Sequence, residues 1–149
     1  VVIEVLVFTH FVRLPFVQVT ILGATHSLTH WIGWGGALFI VFATPALPIV
    51  KRKKPNSFPA ALTAHTVGNL VAVLLVSIHF AHQVTRPAQF YPDLGTGIVL
   101  YATIIILTAS GIIIYSNHAK KMGRQLRFLH PAFALTFYTV IVMHIIQGI

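Results

Sequence analysis

The stretch HTVGNLVAVLLVSIH, His65 to His79, and the stretch HPAFALTFYTVIVMH, His130 to His144, are apolar runs of equal length with a histidine at each end. Neither holds a charged residue, and each sits within a longer run of about 20 apolar residues, the length a helix needs to cross the hydrocarbon of a bilayer. The chain as a whole, 149 residues, is 56% hydrophobic and 8% charged, whereas about a quarter of a soluble domain is charged. The expected fold is therefore all-α: an integral membrane up-down four-helix bundle with an additional N-terminal apolar helix or segment.

Four spans are expected, at about Ala24 to Val50, Pro59 to Gln83, Leu94 to Asn117 and Gln125 to Ile149. Pro59 suits a first helical turn. Residues 1–22, VVIEVLVFTHFVRLPFVQVTIL, are apolar enough to enter lipid, but Arg13 and Pro15 interrupt them. A surface-lying or partner-contacting helix is the preferred reading there, over a fifth span. The division is thus an N-terminal segment, 1–22, and a four-helix membrane domain, 24–149.

Ten Lys and Arg against two acidic residues give a formal charge of +8, which in a soluble protein would point to nucleic acid. The distribution excludes that partner. Lys51, Arg52, Lys53 and Lys54 follow the first span, and Lys120, Lys121, Arg124 and Arg127 surround the start of the fourth. Under the positive-inside rule the loops after spans one and three lie on the cytoplasmic side of the cell membrane. The second and fourth helices then run in the same direction. Cysteine is absent, which excludes disulfides, thiolate-held iron–sulfur clusters and covalent c-type haem.

An ionisable side chain inside a bilayer is costly and usually faces the bundle interior, where it is paired. At 100° per residue, fourteen residues bring a helix to within about 40° of its starting direction, and the slight supercoil of a bundle closes the gap. His65 and His79 therefore share one face, as do His130 and His144, at an axial separation of about 21 Å. That is too far for one metal ion and suits two stacked cofactors. With the two helices co-directional and diagonal in the bundle, His65 opposes His130 at one depth and His79 opposes His144 at the other. A flat macrocycle with iron held by one imidazole from each helix fits that arrangement, giving two bis-histidine haem b groups.

On the third helix Gly97 and Gly111 repeat the fourteen-residue interval, one near each level; taken alone, ordinary close helix packing explains them better. Gly33, Gly35 and Gly36 make room on the first helix near the outer level, and Ala43 and Ala46 are the small residues deeper down. Other readings stay open. His26 and His30, one turn apart in HSLTHW, have a spacing that holds copper or zinc, though a water-facing interfacial pair beside Trp31 is preferred. His82 is expected at the membrane interface and is the rival of His79 as a ligand. His10 and His118 are expected in solvent. Arg127, one turn before His130, is placed either to pair with a haem propionate or to anchor the cytoplasmic end.

The two H-x13-H segments, with glycines at the same interval on a neighbouring helix, resemble the four-helix dihaem core of cytochrome b from quinol–cytochrome c oxidoreductases, over about Ala24 to Ile149. The resemblance implies that His65 and His130 ligate one b haem, that His79 and His144 ligate the other, and that Gly97 and Gly111 line them. It further implies electron transfer across the membrane and exchange with a quinone at one or both faces. No Pro-Glu-Trp-Tyr motif occurs in these residues, and the charge-based orientation is inverted relative to that family, so bifurcated quinol chemistry is not carried over. The start of the first span, LTHW, resembles the small b-type subunits of hydrogenases, formate dehydrogenases and the b561 group, in which His26 or His30 would displace one of the four ligands.

The expected function is an electron-transfer subunit of an oxidoreductase complex, contacting lipid and other redox subunits and passing electrons between quinone or quinol and a partner. No carboxylate pair, activated nucleophile or phosphate loop is present, and Glu4 and Asp93 are the only acidic residues, which argues against a stand-alone hydrolase. Two alternatives differ in kind. One is a transport subunit whose histidines relay protons; the other is a structural subunit of a membrane metalloenzyme with copper at His26 and His30.

Overall fold

The protein is described by a computed structural model covering Val5 and residues 17–86, 95–116 and 123–148. Four helices long and apolar enough to cross a membrane dominate it: α1 (Leu28–Lys53), α2 (Phe58–Val84), α3 (Gly95–Ser116) and α4 (Gly123–Gly148). A single 3-10 turn, Pro55–Ser57, joins α1 to α2. The last turn of α1 carries Lys51, Arg52 and Lys53, where cations complement the helix dipole. His10, His118, Lys120, Lys121 and the turn containing Asp93 lie outside the described residues.

The first span begins at Leu28, not Ala24, because the chain ahead of it is a β-hairpin. Strands β1 (Gln18–Ile21) and β2 (Ala24–Ser27) pair antiparallel, so the helix expected over 1–22 is corrected for its described end. Leu22 and Gly23 both have positive φ, 52° and 84°, the backbone of the tight turn whose twist matches a hairpin. Strand β1 is rich in β-branched residues, Val19, Thr20 and Ile21, and its Thr20 meets Thr25 of β2 across the pair at 2.7 Å. Three contacts fasten the hairpin to the helix: the Leu28 amide donates to the Val17 carbonyl (2.8 Å), Trp31 Nε1 to the Val19 carbonyl (2.9 Å), and the His30 amide to the N-cap Ser27 Oγ (3.3 Å).

All four helices turn large apolar side chains outward. Phe42, Phe128, Leu135 and Ile146 are 70%, 77%, 69% and 68% exposed, an outer surface that fits acyl chains and would not tolerate water. In such a setting burial of apolar surface does not draw helices together, and close backbone approach takes over. Gly36 on α1 lies so near α2 that a Cβ there would sit 2.7 Å from the Ala72 carbonyl oxygen. Gly68 on α2 receives the ring of Phe39. Gly68 and Ala72 thus form a small-xxx-small seam.

Pro45 lies inside α1 and cannot donate the amide hydrogen that the Val41 carbonyl would otherwise accept. Tyr138 of α4 supplies the missing donor, its hydroxyl 2.6 Å from that oxygen, as proline in a membrane helix requires of its neighbours. Between the ends of the bundle a buried cluster of Ile40, Ala72, Val76, Leu100, Ile104, Phe137 and Ile141 draws on all four helices. Ala72, Ile104 and Phe137 each stand seven residues from both ends of the intervals 65–79, 97–111 and 130–144. The core is therefore a plug at mid-height.

Tyr138→Phe is expected to leave the Val41 carbonyl unsatisfied and to cost about 1 kcal/mol, measured by denaturant unfolding in micelles. In a Pro45→Ala background, where the restored amide serves that carbonyl, the same substitution should cost close to nothing.

Candidate functional site

Above and below the plug the two pairs of histidines stand in two tiers. At the basic end, His65 of α2 and His130 of α4 both line a cavity of about 1100 Å³, and each is within electrostatic reach of the other. That volume is at the upper end for ligand pockets. The lining is mostly aliphatic, and its rim includes Phe42, Leu70, Ile112 and Leu135, all exposed on the outer surface, so the cavity reaches the lipid-facing side. At the hairpin end, His79 of α2 lies within electrostatic reach of His144 of α4 and of His30 and His82.

Helix α3 touches both α4 histidines in the same way. A Cβ at Gly111 would stop 3.4 Å from His130 Cε1, and one at Gly97 would stop 3.4 Å from His144 Cε1. The residue before each glycine is a hydroxyl, and each hydroxyl reaches the ring's Nδ1: Ser110 Oγ to His130 at 2.9 Å, Thr96 Oγ1 to His144 at 3.1 Å. A hydroxyl has one hydrogen to give. Ser110 gives its hydrogen to the Leu107 carbonyl (2.9 Å), and Thr96 to Gln147 Oε1 (2.9 Å). An imidazole that donates from Nδ1 satisfies both contacts of each hydroxyl at once, and it leaves the lone pair on Nε2, the atom free to bind a metal.

Helix α1 holds the α2 histidines. The backbone of Ala43 lies beside His65 and that of Thr29 beside His79, again fourteen residues apart. Gly33 packs flat on His79, since a Cβ there would meet its Cγ at 2.6 Å. His79 Nδ1 is buried and has no hydrogen-bond partner among the described residues. Asn69, one turn after His65, places Nδ2 3.3 Å from both of its ring nitrogens, while Asn69 Oδ1 is buried without a partner.

The remaining candidates fall elsewhere. His82, two residues from the end of α2, is turned inward: it is 2% exposed, with Nδ1 2.7 Å from Thr29 Oγ1, which is itself 3.1 Å from Ser27 Oγ. His26 and His30 stack at 4.5 Å between ring centroids, His26 also meets Trp31 edge-on, and His30 Nε2 accepts from Trp34 Nε1 (2.9 Å). Among the described residues no group of three or more His, Cys, Asp or Glu is placed to hold a metal ion by itself. Arg127 is exposed and is not a lining residue of the cavity. The sequence reading missed Thr96, Ser110 and Asn69, although the pairs Thr96-Gly97 and Ser110-Gly111 repeat at the same interval as the histidines.

At the basic end two histidines from helices across the bundle meet an aliphatic cavity with glycine clearance on α3, too few ligands for a closed metal site and a donor set that an iron porphyrin would fit. At the hairpin end His79 and His144 stand with His30 and His82 near them. No family model matches the chain, and no curated protein or solved structure is similar to it at a significant level.

Gly97→Ala and Gly111→Ala should fold with unchanged or slightly raised stability, since the methyl meets only ordinary contact and alanine gains about 1 kcal/mol of helix propensity. Gly33→Ala, by contrast, must displace the His79 ring and is expected to cost about 1–3 kcal/mol in the same unfolding measurement.

Proposed function

We propose that this chain is a dihaem b-type cytochrome subunit of a membrane redox complex, carrying electrons across the bilayer between a quinone or donor site near one face and a partner subunit. The observation that carries the reading is the cavity walled by His65 and His130, with the lone pair of His130 Nε2 left open by the bond to Ser110. At the hairpin end the support is the contact of His144 with Thr96 and the burial of His79 Nδ1 without a hydrogen-bond partner among the described residues.

His65 and His130 would hold one haem and His79 and His144 the other, with Gly111 and Gly97 giving the ring plane clearance. Bound there, each haem would supply a one-electron couple whose potential its ligands, burial and nearby charge set. The chain's own part is to hold four imidazoles in fixed orientation, to exclude water with the surrounding aliphatic side chains, and to keep the tiers apart with the plug of Ala72, Ile104 and Phe137. Arg127, one turn before His130 but outside the cavity lining, would have to swing in to meet a propionate and otherwise anchors that end of α4. By the positive-inside rule, the basic loops after the first and third spans would put that end on the cytoplasmic side.

A second reading has one observation in its favour. His26, His30 and His79 form a series of rings, at 4.5 Å and then 5.1 Å between centroids, which suits a proton-relaying subunit. Pigment separates the two.

Purified in detergent with haem available during expression, the protein should show a b-type absorption spectrum that sharpens with dithionite, at two haems per chain. His130→Ala should lose one haem and keep the other, and so should His79→Ala. A colourless protein would overturn the reading; loss of neither haem in His79→Ala would pass the outer role to His82 or His30.

A further inference from the structure

The two hydroxyls of α3 look alike from the imidazole side and differ behind it. Ser110 is 4% exposed and gives its hydrogen to a main-chain carbonyl within its own helix, so nothing outside the bundle can alter that bond. Thr96 gives its hydrogen to the side chain of Gln147, three residues past His144 and exposed. One ligand is backed by the fold. The other is backed by a replaceable surface amide.

We propose that Ser110 and Thr96 are positioning residues that hold His130 and His144 in the Nδ1–H tautomer and set how strongly Nε2 donates, and that the hairpin-end tier is adjustable from the surface through Gln147. The argument rests on the dihaem reading for its consequence, but the tautomer itself is a property of the chain alone. A partner that accepts more strongly from Nδ1–H makes the imidazole a stronger donor at Nε2, and such outer bonds orient and tune ligating histidines generally. A stronger donor favours ferric iron and lowers the potential. Gln147 acts one bond further out: a better acceptor there polarises the Thr96 hydroxyl, whose oxygen then accepts more strongly from His144.

The inference also explains the Thr96-Gly97 and Ser110-Gly111 pairs. In both tiers the hydroxyl bonds the ring at Nδ1 while the glycine beside it faces the same ring's Cε1. One two-residue unit of α3 is thus used twice.

The test has two arms on the full chain in lipid nanodiscs. In the haem-free protein, nitrogen-15 NMR of labelled histidines should report Nδ1 protonated and Nε2 bare for His130 and His144, each assigned by its own His→Ala variant. Ser110→Ala should populate the Nε2–H form of His130 alone, Thr96→Val that of His144 alone, and Ser110→Thr should restore the original form. With haem b bound, Ser110→Ala should raise the potential of the basic-end couple only. Thr96→Val should raise that of the hairpin-end couple only, and Gln147→Glu, whose carboxylate accepts more strongly, should lower it. Tautomers that ignore these substitutions, or potentials that move together or not at all, would overturn the proposal while leaving two haems in place. A chain whose tautomers respond as stated but which takes up no haem would instead overturn the dihaem reading, and the tuning with it.

Discussion

Acyl chains offer a polar group no partner, and that constraint governs the interior of this bundle. Every hydroxyl, imidazole and freed carbonyl between the helices has to be answered by its own turn or by another helix, or left at a cost. Most are answered. Tyr138 serves the carbonyl that Pro45 abandons, Thr29 serves His82, Ser77 meets Tyr101 at 3.0 Å, and the α3 hydroxyls serve His130 and His144. These bonds choose the rotation of each helix, because van der Waals contact along glycine and alanine seams draws helices together without fixing which side faces inward.

Against that background the unanswered atoms stand out. Asn69 Oδ1 and His79 Nδ1 are buried without partners among the described residues, one in each tier, both on α2. A lipid-facing position would have turned them away or replaced them. Gln83 Nε2, near the end of the same helix, is a third such atom, so the cost of unmet polar groups falls on α2, while both α4 histidines are served by α3. Each tier is thus half settled and half open.

The membrane fold was legible because apolar runs of this length have few other uses, and because the basic clusters after the first and third spans fix which helices are co-directional. The shared interval marked the levels of Gly97 and Gly111, but not that each glycine meets the α4 histidine itself. The hairpin was not: its turn is Leu22-Gly23, and a leucine at the first turn position hides the asparagine or aspartate signal that usually marks such a loop. Nor was the burial of His82, which depends on Thr29 arriving from an antiparallel neighbour fifty-three residues away. Ser110 and Thr96 were visible as letters, but a hydroxyl in a membrane helix ordinarily bonds back to its own turn, as Thr103 and Thr108 do here. Only coordinates tell the two uses apart.

Phe137 is 1% exposed and stands midway between His130 and His144, locked among residues of the other three helices. Helix α4 is therefore a single shaft clamped at its centre, with one imidazole on each arm. Twisting it about its axis would pull both rings off their hydroxyls in the same stroke, and sliding it would lift one toward the plug as the other left its level. Neither histidine can be repositioned alone by moving the helix, so one tier changes independently of the other through the side chains around it.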